Sequence, residues 1–552
     1  MGRRVISLHI KPMTKRGANW LVALFFIALT LVGLLTSADY GQPWDEPWEQ
    51  DILRMNGNQY ALYLGLPGQM AMQSDIPAPP SLLIEDSVER DHGQSAYYPL
   101  LGLLADTSVT PMARMVLWHG YTWLLFMGGV AALWLIGRRL GLSRLLSSVA
   151  AMFLVLSPRM FAEGHYNNKD VVLLALVLLV LWLTLRLMER PAPLRAFLFS
   201  LAGALAANTK IIGLLVWGLC ALFVLVRLLA GRRMDGRAWL AAGVALVSFA
   251  LCYFLLTPAM WRDPLGYLGY VLQSAMDFTR WQNYVLFRGS VFHLKKGPLP
   301  RIYLPYMILV TTPIWVLVFL LAGQVAAVRH WFRHKSAALA DDRAMALLLC
   351  TLLWLVPLGY SVVAQPTTYN GWRHFYFLYA PMLVLAAQGL QSLAAWVRAR
   401  LPKLAQRLCA GALCLCMLGT GVLIAFAHPY QYTYYNALAY RSDLPSYLEL
   451  DYWNVSALDA LRNVVASVPE GGQVSVAGSD YSSHQGLKSA YALLPPQQQA
   501  RLRLIPQGSK GANYTFVNPT YQLLNYWRPT PSMTPLFHIH SFGVPIYSVY
   551  KR

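Results

Sequence analysis

Two adjacent carboxylates are the first residues in this chain whose types and spacing could do chemistry. Asp45 and Glu46 stand in Gly41-Gln42-Pro43-Trp44-Asp45-Glu46-Pro47-Trp48-Glu49, fenced by prolines and tryptophans just past the first apolar run. Acids at a membrane face are costly unless solvated or paired, which makes such a pair a candidate site. The plainer reading is a solvated loop start whose tryptophans join the interfacial aromatic belt. A second crowd lies in Ser157-Pro158-Arg159-Met160-Phe161-Ala162-Glu163-Gly164-His165-Tyr166-Asn167-Asn168-Lys169-Asp170. There Lys169 and Asp170 could simply cap a helix and snorkel. With Glu163 and His165 close by, they could equally line one acidic pocket with Asp45 and Glu46. Three further cations, Lys210, Arg288 and Arg373, stand apart from other basic residues, and His374 follows the last of them. Guanidinium groups clamp phosphate bidentately, so these cations suit a phosphate-bearing ligand; each could instead pair with a local acid.

The elements that must position these residues are membrane helices. The chain has 552 residues, 56% of them hydrophobic and 13% charged, with a mean hydropathy of +0.41. Soluble domains carry about 25% charged residues. Apolar runs long enough to span fall near 20–38, 113–136, 171–187, 211–229, 238–257, 302–328, 344–364, 374–397 and 405–427. Two shorter runs, 145–157 and 196–207, fit tilted or re-entrant segments and bring the expected total to about eleven. The run from Trp20 to Ala38 is longer than a signal-peptide core, and no A-x-A site follows, so it is expected to remain as a span.

Charge gives the expected orientation. Six segments hold 23 of the 45 basic residues, and they occupy every second connection. The loop 39–112 between them carries Arg54 and Arg90 against eleven acids. The positive-inside rule then puts the N-terminus in the cytoplasm, the Asp45 loop outside and, with eleven spans, the C-terminus outside. The net charge of +20 is therefore mostly topological, and nucleic acid falls away as a partner. The six cysteines all lie in apolar segments and form neither a disulfide framework nor a metal knuckle. This organisation divides the chain into a cytoplasmic start (1–19), a membrane domain (20–427) with large outer loops at 39–112 and 258–301, and a C-terminal region (428–552). In the last region Val455, Leu458, Leu461, Val464, Val465 and Val468 recur at helical spacing, while 473–477, 513–517 and 543–550 have strand character. A small α/β module is expected there.

Several of these motifs, in this order, resemble a family. They are the Asp45-Glu46 pair, the Ser157-Pro158-Arg159…Asn168-Lys169-Asp170 turn, and Leu286-Phe287-Arg288-Gly289…Leu299-Pro300…Tyr303…Thr311-Thr312-Pro313. Arg373-His374, His428-Pro429-Tyr430-Gln431…Tyr435-Asn436 and Asp451-Tyr452-Trp453 complete the series. Together they resemble membrane glycosyltransferases of the GT-C class, in the protein mannosyltransferase and aminoarabinose transferase-like group (glycosyltransferase family 39-like). The likeness runs from about residue 40 to 455; Asn454 departs from it where glycine is expected.

The resemblance implies an inverting sugar transfer from a polyprenyl-phosphate donor to a lipid, glycan or protein acceptor at the outer face of a bacterial inner membrane. By match to the family's Asp-Glu motif, Asp45 is the expected general base, with Glu46 in support. Lys210, Arg288 and Arg373 would stabilise the departing phosphate. Asp170, Glu163 and His374 would position substrates. No cofactor is required, and no ligand spacing demands a metal, although Asp45, Asp170 and His374 could hold a divalent ion. A transporter of lipid-linked saccharide is the main alternative. Such proteins often show internal repeats and ionisable residues deep within spans, and this chain shows neither. A non-catalytic assembly subunit is a third reading.

Overall fold

The computed structural model describes residues 15–74, 78–276, 283–524 and 527–552. Arg3, Arg4 and Lys11 of the basic N-terminus, and Trp281 and Gln282 of the second outer loop, lie outside the described residues. Among the described residues, nine helices are long and apolar enough to cross a membrane. The protein is a multi-pass membrane protein with a small C-terminal sheet region.

The shorter runs behave differently from full spans. The 145–157 run becomes the helix Arg144–Val155, followed by Pro158–Tyr166 at a bend of 71°. Pro158 cannot donate into a continuous helix, so it begins a new one at its favoured N-terminal position. The 196–207 run becomes the helix Pro193–Thr209, 17 residues long. The run expected to span 302–328 is broken at Pro313 into Tyr303–Thr311 and Ile314–His334. The carbonyls freed by this break are not left bare: Asn436 Nδ2 donates to Leu309 O and Thr312 O, at 2.7 and 2.8 Å.

Burial sorts the spans by position. The helix Asp170–Glu189 is 83% buried over its most apolar stretch, and Arg373–Arg400 is 78% buried. These two form the centre of the bundle. Arg16–Thr36, Gly236–Leu256 and Lys403–Phe426 are 6–11% buried, leaving apolar side chains such as Leu35, Val247 and Phe426 for lipid. One inner contact depends on glycine. A Cβ on Gly323 would lie 1.8 Å from Leu385 O, and one on Gly389 would lie 1.9 Å from Phe319 O. The helices Ile314–His334 and Tyr379–Arg400 therefore meet backbone to backbone, as small residues permit in membranes.

The loop 39–112 holds the helix Glu46–Tyr63, buried at Trp48 and continuously from Glu49 to Gln59. Arg54, one of the two cations in that loop, is buried too and pairs with Asp51 at 2.6 Å. In loop 258–301, strands β1 (Tyr284–Phe287) and β2 (Ser290–His293) make an antiparallel hairpin. The tail carries the expected helix as Ala457–Ser467. It also carries a five-stranded sheet of β3 (Val474–Gly478), β4 (Leu502–Leu504), β5 (Tyr514–Val517), β6 (Thr534–Ser541) and β7 (Val544–Lys551). The order is β4-β3-β5-β7-β6, with β3 parallel to β4 and β5 and the other pairs antiparallel. Strands β4 and β6 were not legible as strands: β4 has three residues, and β6 mixes histidine and proline into its run.

Candidate active site

Five segments far apart in sequence converge on the Asp45 loop. Asp45 sits at the start of the helix Glu46–Tyr63, with Pro47 in its first turn. Its side chain keeps 27% exposure, and its Oδ2 lies 3.7 Å from Arg373 Nη1. Burial, partly offset by Arg373, lifts the Asp45 carboxyl to about 6. A carboxylate poised there holds a proton well yet is largely ionised at neutral pH, which suits a general base.

The Arg373 side chain is itself fixed on both faces. Its guanidinium lies 5.4 Å from the Tyr369 ring and 5.1 Å from the Trp453 ring. Its buried Nε has no hydrogen-bond partner, and neither has Nε2 of the adjacent His374, which packs edge-on to Tyr369 at 4.5 Å. Arg373 Nε is a donor, and His374 Nε2 donates or accepts according to its tautomer, so both atoms are available to a ligand.

Around this pair the charges balance. Lys169 bonds Glu49, and Lys210 bonds Asp170. Burial alone would weaken the hold of Lys169 on its proton, but Glu49, Glu89 and Asp45 reverse this and hold the proton more tightly than usual. Glu49 Oε2 accepts from Gln94 Nε2 at 2.6 Å. Asn167 Nδ2 donates to both Glu163 Oε2 and Asp170 Oδ2, at 2.7 and 3.3 Å. Glu163 Oε1 accepts from the Tyr376 and Tyr452 hydroxyls, at 2.7 and 3.2 Å. Asp170 and Arg373 open the two most buried helices, so both helix N-termini face this region with their positive dipole ends.

Other expected site residues are placed elsewhere. Glu46 is buried, and its oxygens are taken by Gln42 Nε2 (2.9 Å), Gln50 Nε2 (3.1 Å) and His119 Nε2 (2.8 Å). It anchors the loop to the helix Pro111–Arg139 and does not face Arg373 beside Asp45. His165 stacks between Tyr40 and Trp123 at 4.3 and 4.5 Å, and its nitrogens meet Phe161 O and Gly33 O. It is a packed core histidine, not a pocket residue. Arg159 is buried over the Tyr435 ring at 4.6 Å and donates from Nε to Tyr434 O. Arg288 is exposed on the β1–β2 turn, where its contacts are Tyr447 and Tyr306, not the Asp45 group.

The expected metal set does not assemble. Asp45, Asp170 and His374 do not bring ligand atoms together; among the described residues that proximity is met by Glu89, Asp91 and His92. Asp170 is instead neutralised by Lys210.

Sequence reasoning missed Glu49, Tyr369 and Tyr376. Glu49 was in view but lacked a visible partner until Lys169 came beside it. Tyr376 is three residues past Arg373, one turn along the same 3-10 segment. Asn454 occupies the position where the family resemblance expects glycine, and its φ is +55°. Asparagine tolerates that left-handed conformation better than other side-chain-bearing residues, so the backbone requirement is kept.

The fold and site together define a helical membrane protein in which an acid–guanidinium pair lies beside Tyr452 and Trp453 of the C-terminal region. No protein-family model matches the chain, and no curated protein matches it. Among solved structures, ArnT from Cupriavidus metallidurans in the apo state is similar at 14% identity and a TM-score of 0.47, covering 97% of this chain and 98% of that one. ArnT bound to undecaprenyl phosphate is similar at 13% identity and a TM-score of 0.43, with the same coverage. The arabinofuranosyltransferase AftD from Mycobacteria is similar at 16% identity and a TM-score of 0.45, covering 98% of this chain and 42% of that one.

Proposed function

We propose that the protein transfers a sugar from a polyprenyl-phosphate donor to an acceptor hydroxyl at the membrane face bearing Asp45. The observation that carries this reading is Asp45 at 3.7 Å from Arg373, whose Nε has no protein partner. A base beside a fixed cation with a spare donor fits a reaction that removes a proton and releases an anion together. The acceptor oxygen attacks the anomeric carbon and forms the new glycosidic bond. The bond from that carbon to the phosphate oxygen breaks, and the acceptor proton passes to an Asp45 carboxylate oxygen. The polyprenyl phosphate leaves with the bonding electrons, stabilised by Arg373 and by the two helix N-termini. Single displacement inverts the anomeric centre. Lys169 and Lys210 hold Glu49 and Asp170 in place and keep the pocket near neutrality. The face is the outer one by the charge pattern, which in a bacterium is the periplasmic side of the inner membrane.

The test uses purified wild type and Asp45→Asn in nanodiscs, a panel of polyprenyl-phosphate sugars, and a membrane extract as acceptor source. Mass spectrometry follows polyprenyl phosphate. Release by wild type alone is the expected result. Equal release by both proteins removes Asp45 from its role. Donor translocation without release in either protein replaces the transferase with a transporter.

A further inference from the structure

A second cleft of about 390 Å³ lies outside the Asp45 site and shares no residue with it. It is lined by Tyr306, Leu438, Tyr440, Arg441, Asp443 and Tyr447 among others, and Arg288, on the β1–β2 turn, bonds the lining residue Tyr447. Arg288 Nε donates to the Tyr447 hydroxyl at 3.1 Å, and its guanidinium lies 5.5 Å from the Tyr306 ring. Arg441 lies 4.1 Å above the Tyr447 ring and pairs with Asp443. Asp443 thus offsets Arg441, while the contacts of Arg288 are with tyrosines. The cleft is left with one net positive charge and phenolic donors around it. The bond to Arg288 draws the Tyr447 hydroxyl below the usual tyrosine range, making it a stronger donor.

The backbone gives an independent sign. Phe287 pairs with Ser290, so Arg288 and Gly289 form a two-residue hairpin loop, with φ of +52° and +76°. Such a loop favours Asn-Gly, and a long side chain at its first position carries strain. The turn sets the Arg288 side chain against Tyr447.

The surroundings select the ligand class. Tyr306 stands in the helix Tyr303–Thr311, which leads through Pro313 into the span Ile314–Ala340, so the cleft lies at the end of a membrane helix. Leu438 and Tyr440, which line the cleft, are 59% and 56% exposed, setting apolar surface next to the cations. Guanidinium and phenol donors suit phosphate oxygens, and an apolar rim suits the chain to which the phosphate is attached. From this juxtaposition we infer that the Arg288–Arg441–Tyr447 cleft binds the phosphate headgroup of a membrane lipid, at a site separate from Asp45. It does not depend on sugar transfer.

The experiment is calorimetric titration of the full-length protein in neutral detergent with dihexanoyl phosphatidic acid, dihexanoylglycerol and inorganic phosphate. Binding of the phosphatidic acid is expected, with the other two at least roughly tenfold weaker, the loss of one charged or apolar contribution each. Arg288→Asn removes the charge yet suits the left-handed turn, so the hairpin is retained; binding should weaken by about tenfold. Arg441→Gln should weaken it as well. Equal binding by wild type and both arginine variants overturns the inference. Inorganic phosphate binding as tightly as the lipid also overturns it, by making the cleft a free-phosphate site. Failure of sugar transfer leaves this titration unaffected.

Discussion

At the scale of the residue, the pocket couples two charges whose effects on each other have a definite sign. Asp45 must be ionised to accept a proton, so transfer should rise with pH along an acid limb centred near 6. Removing the Arg373 cation takes away the interaction that favours the charged carboxylate. In Arg373→Gln the limb should therefore move to higher pH, and the maximal rate should drop by roughly a hundredfold as the departing phosphate loses its partner. A pH–rate profile of kcat/KM for both proteins checks this. An unmoved limb would show that another group titrates.

Glu449 makes a second residue-scale prediction, on stability. Burial raises its carboxyl to about 7, above the ordinary value near 4.3. Between those values the folded protein holds a proton that the unfolded chain has released. Its contribution is present at low pH and is lost as pH rises through that window. Glu449→Gln lacks this dependence, so it should gain relative to wild type between pH 5 and 8, on the order of 2 kcal/mol. Thermal unfolding in detergent at the two pH values would read it.

At the scale of the element, helix ends and helix contacts carry the site. Asp170 and Arg373 each open one of the two central helices, so any shift of either helix along its axis moves a pocket charge. The contact of Gly323 with Leu385 and of Gly389 with Phe319 holds the second of these helices against Ile314–His334. Gly389→Ala would set a methyl against a carbonyl, costing about 1–3 kcal/mol and reducing transfer through Arg373. Melting temperature and rate should fall together; a stable but inactive variant would contradict that coupling.

Element scale is also where the sequence was most informative and then failed. Long apolar runs declared the spans because nothing else bears some twenty such residues. The break at Pro313 was hidden because the apolar run continues through it, and the capping partner, Asn436, lies more than a hundred residues away. Asp45 was visible as an acid beside a membrane, and Arg373 as a stray cation, but their 3.7 Å approach comes from packing between distant segments. His165 misled for the same reason: a histidine among charges reads like a ligand until two aromatic rings are found on either side of it.

At the scale of the whole molecule, the tail belongs to the pocket. Trp44 donates from its backbone N–H to Trp453 O and from Nε1 to Tyr452 O, both at 3.2 Å. Tyr452 and Trp453 then reach Glu163 and Arg373. Behind them the sheet fixes this segment, since Tyr521 donates to Tyr452 O at 2.7 Å and Asn518 bonds Asp451 and Asn454. A chain ending at Ala457 keeps the nine spans and the residues named in transfer but loses that support. It should insert in the membrane yet lose at least roughly tenfold in transfer, because small displacements of positioned groups are expensive. Activity equal to wild type would make the sheet dispensable.

The docking of Trp453 against Arg373 also bears on how the protein is made. The ribosome delivers Asp45 early and Arg373 late, and Trp453 follows only after the final span. During synthesis every membrane helix can be in place while the pocket still lacks one wall. On the transferase reading, a nascent chain therefore lacks a complete pocket until its last segment has folded, and chain order itself acts as a safety catch.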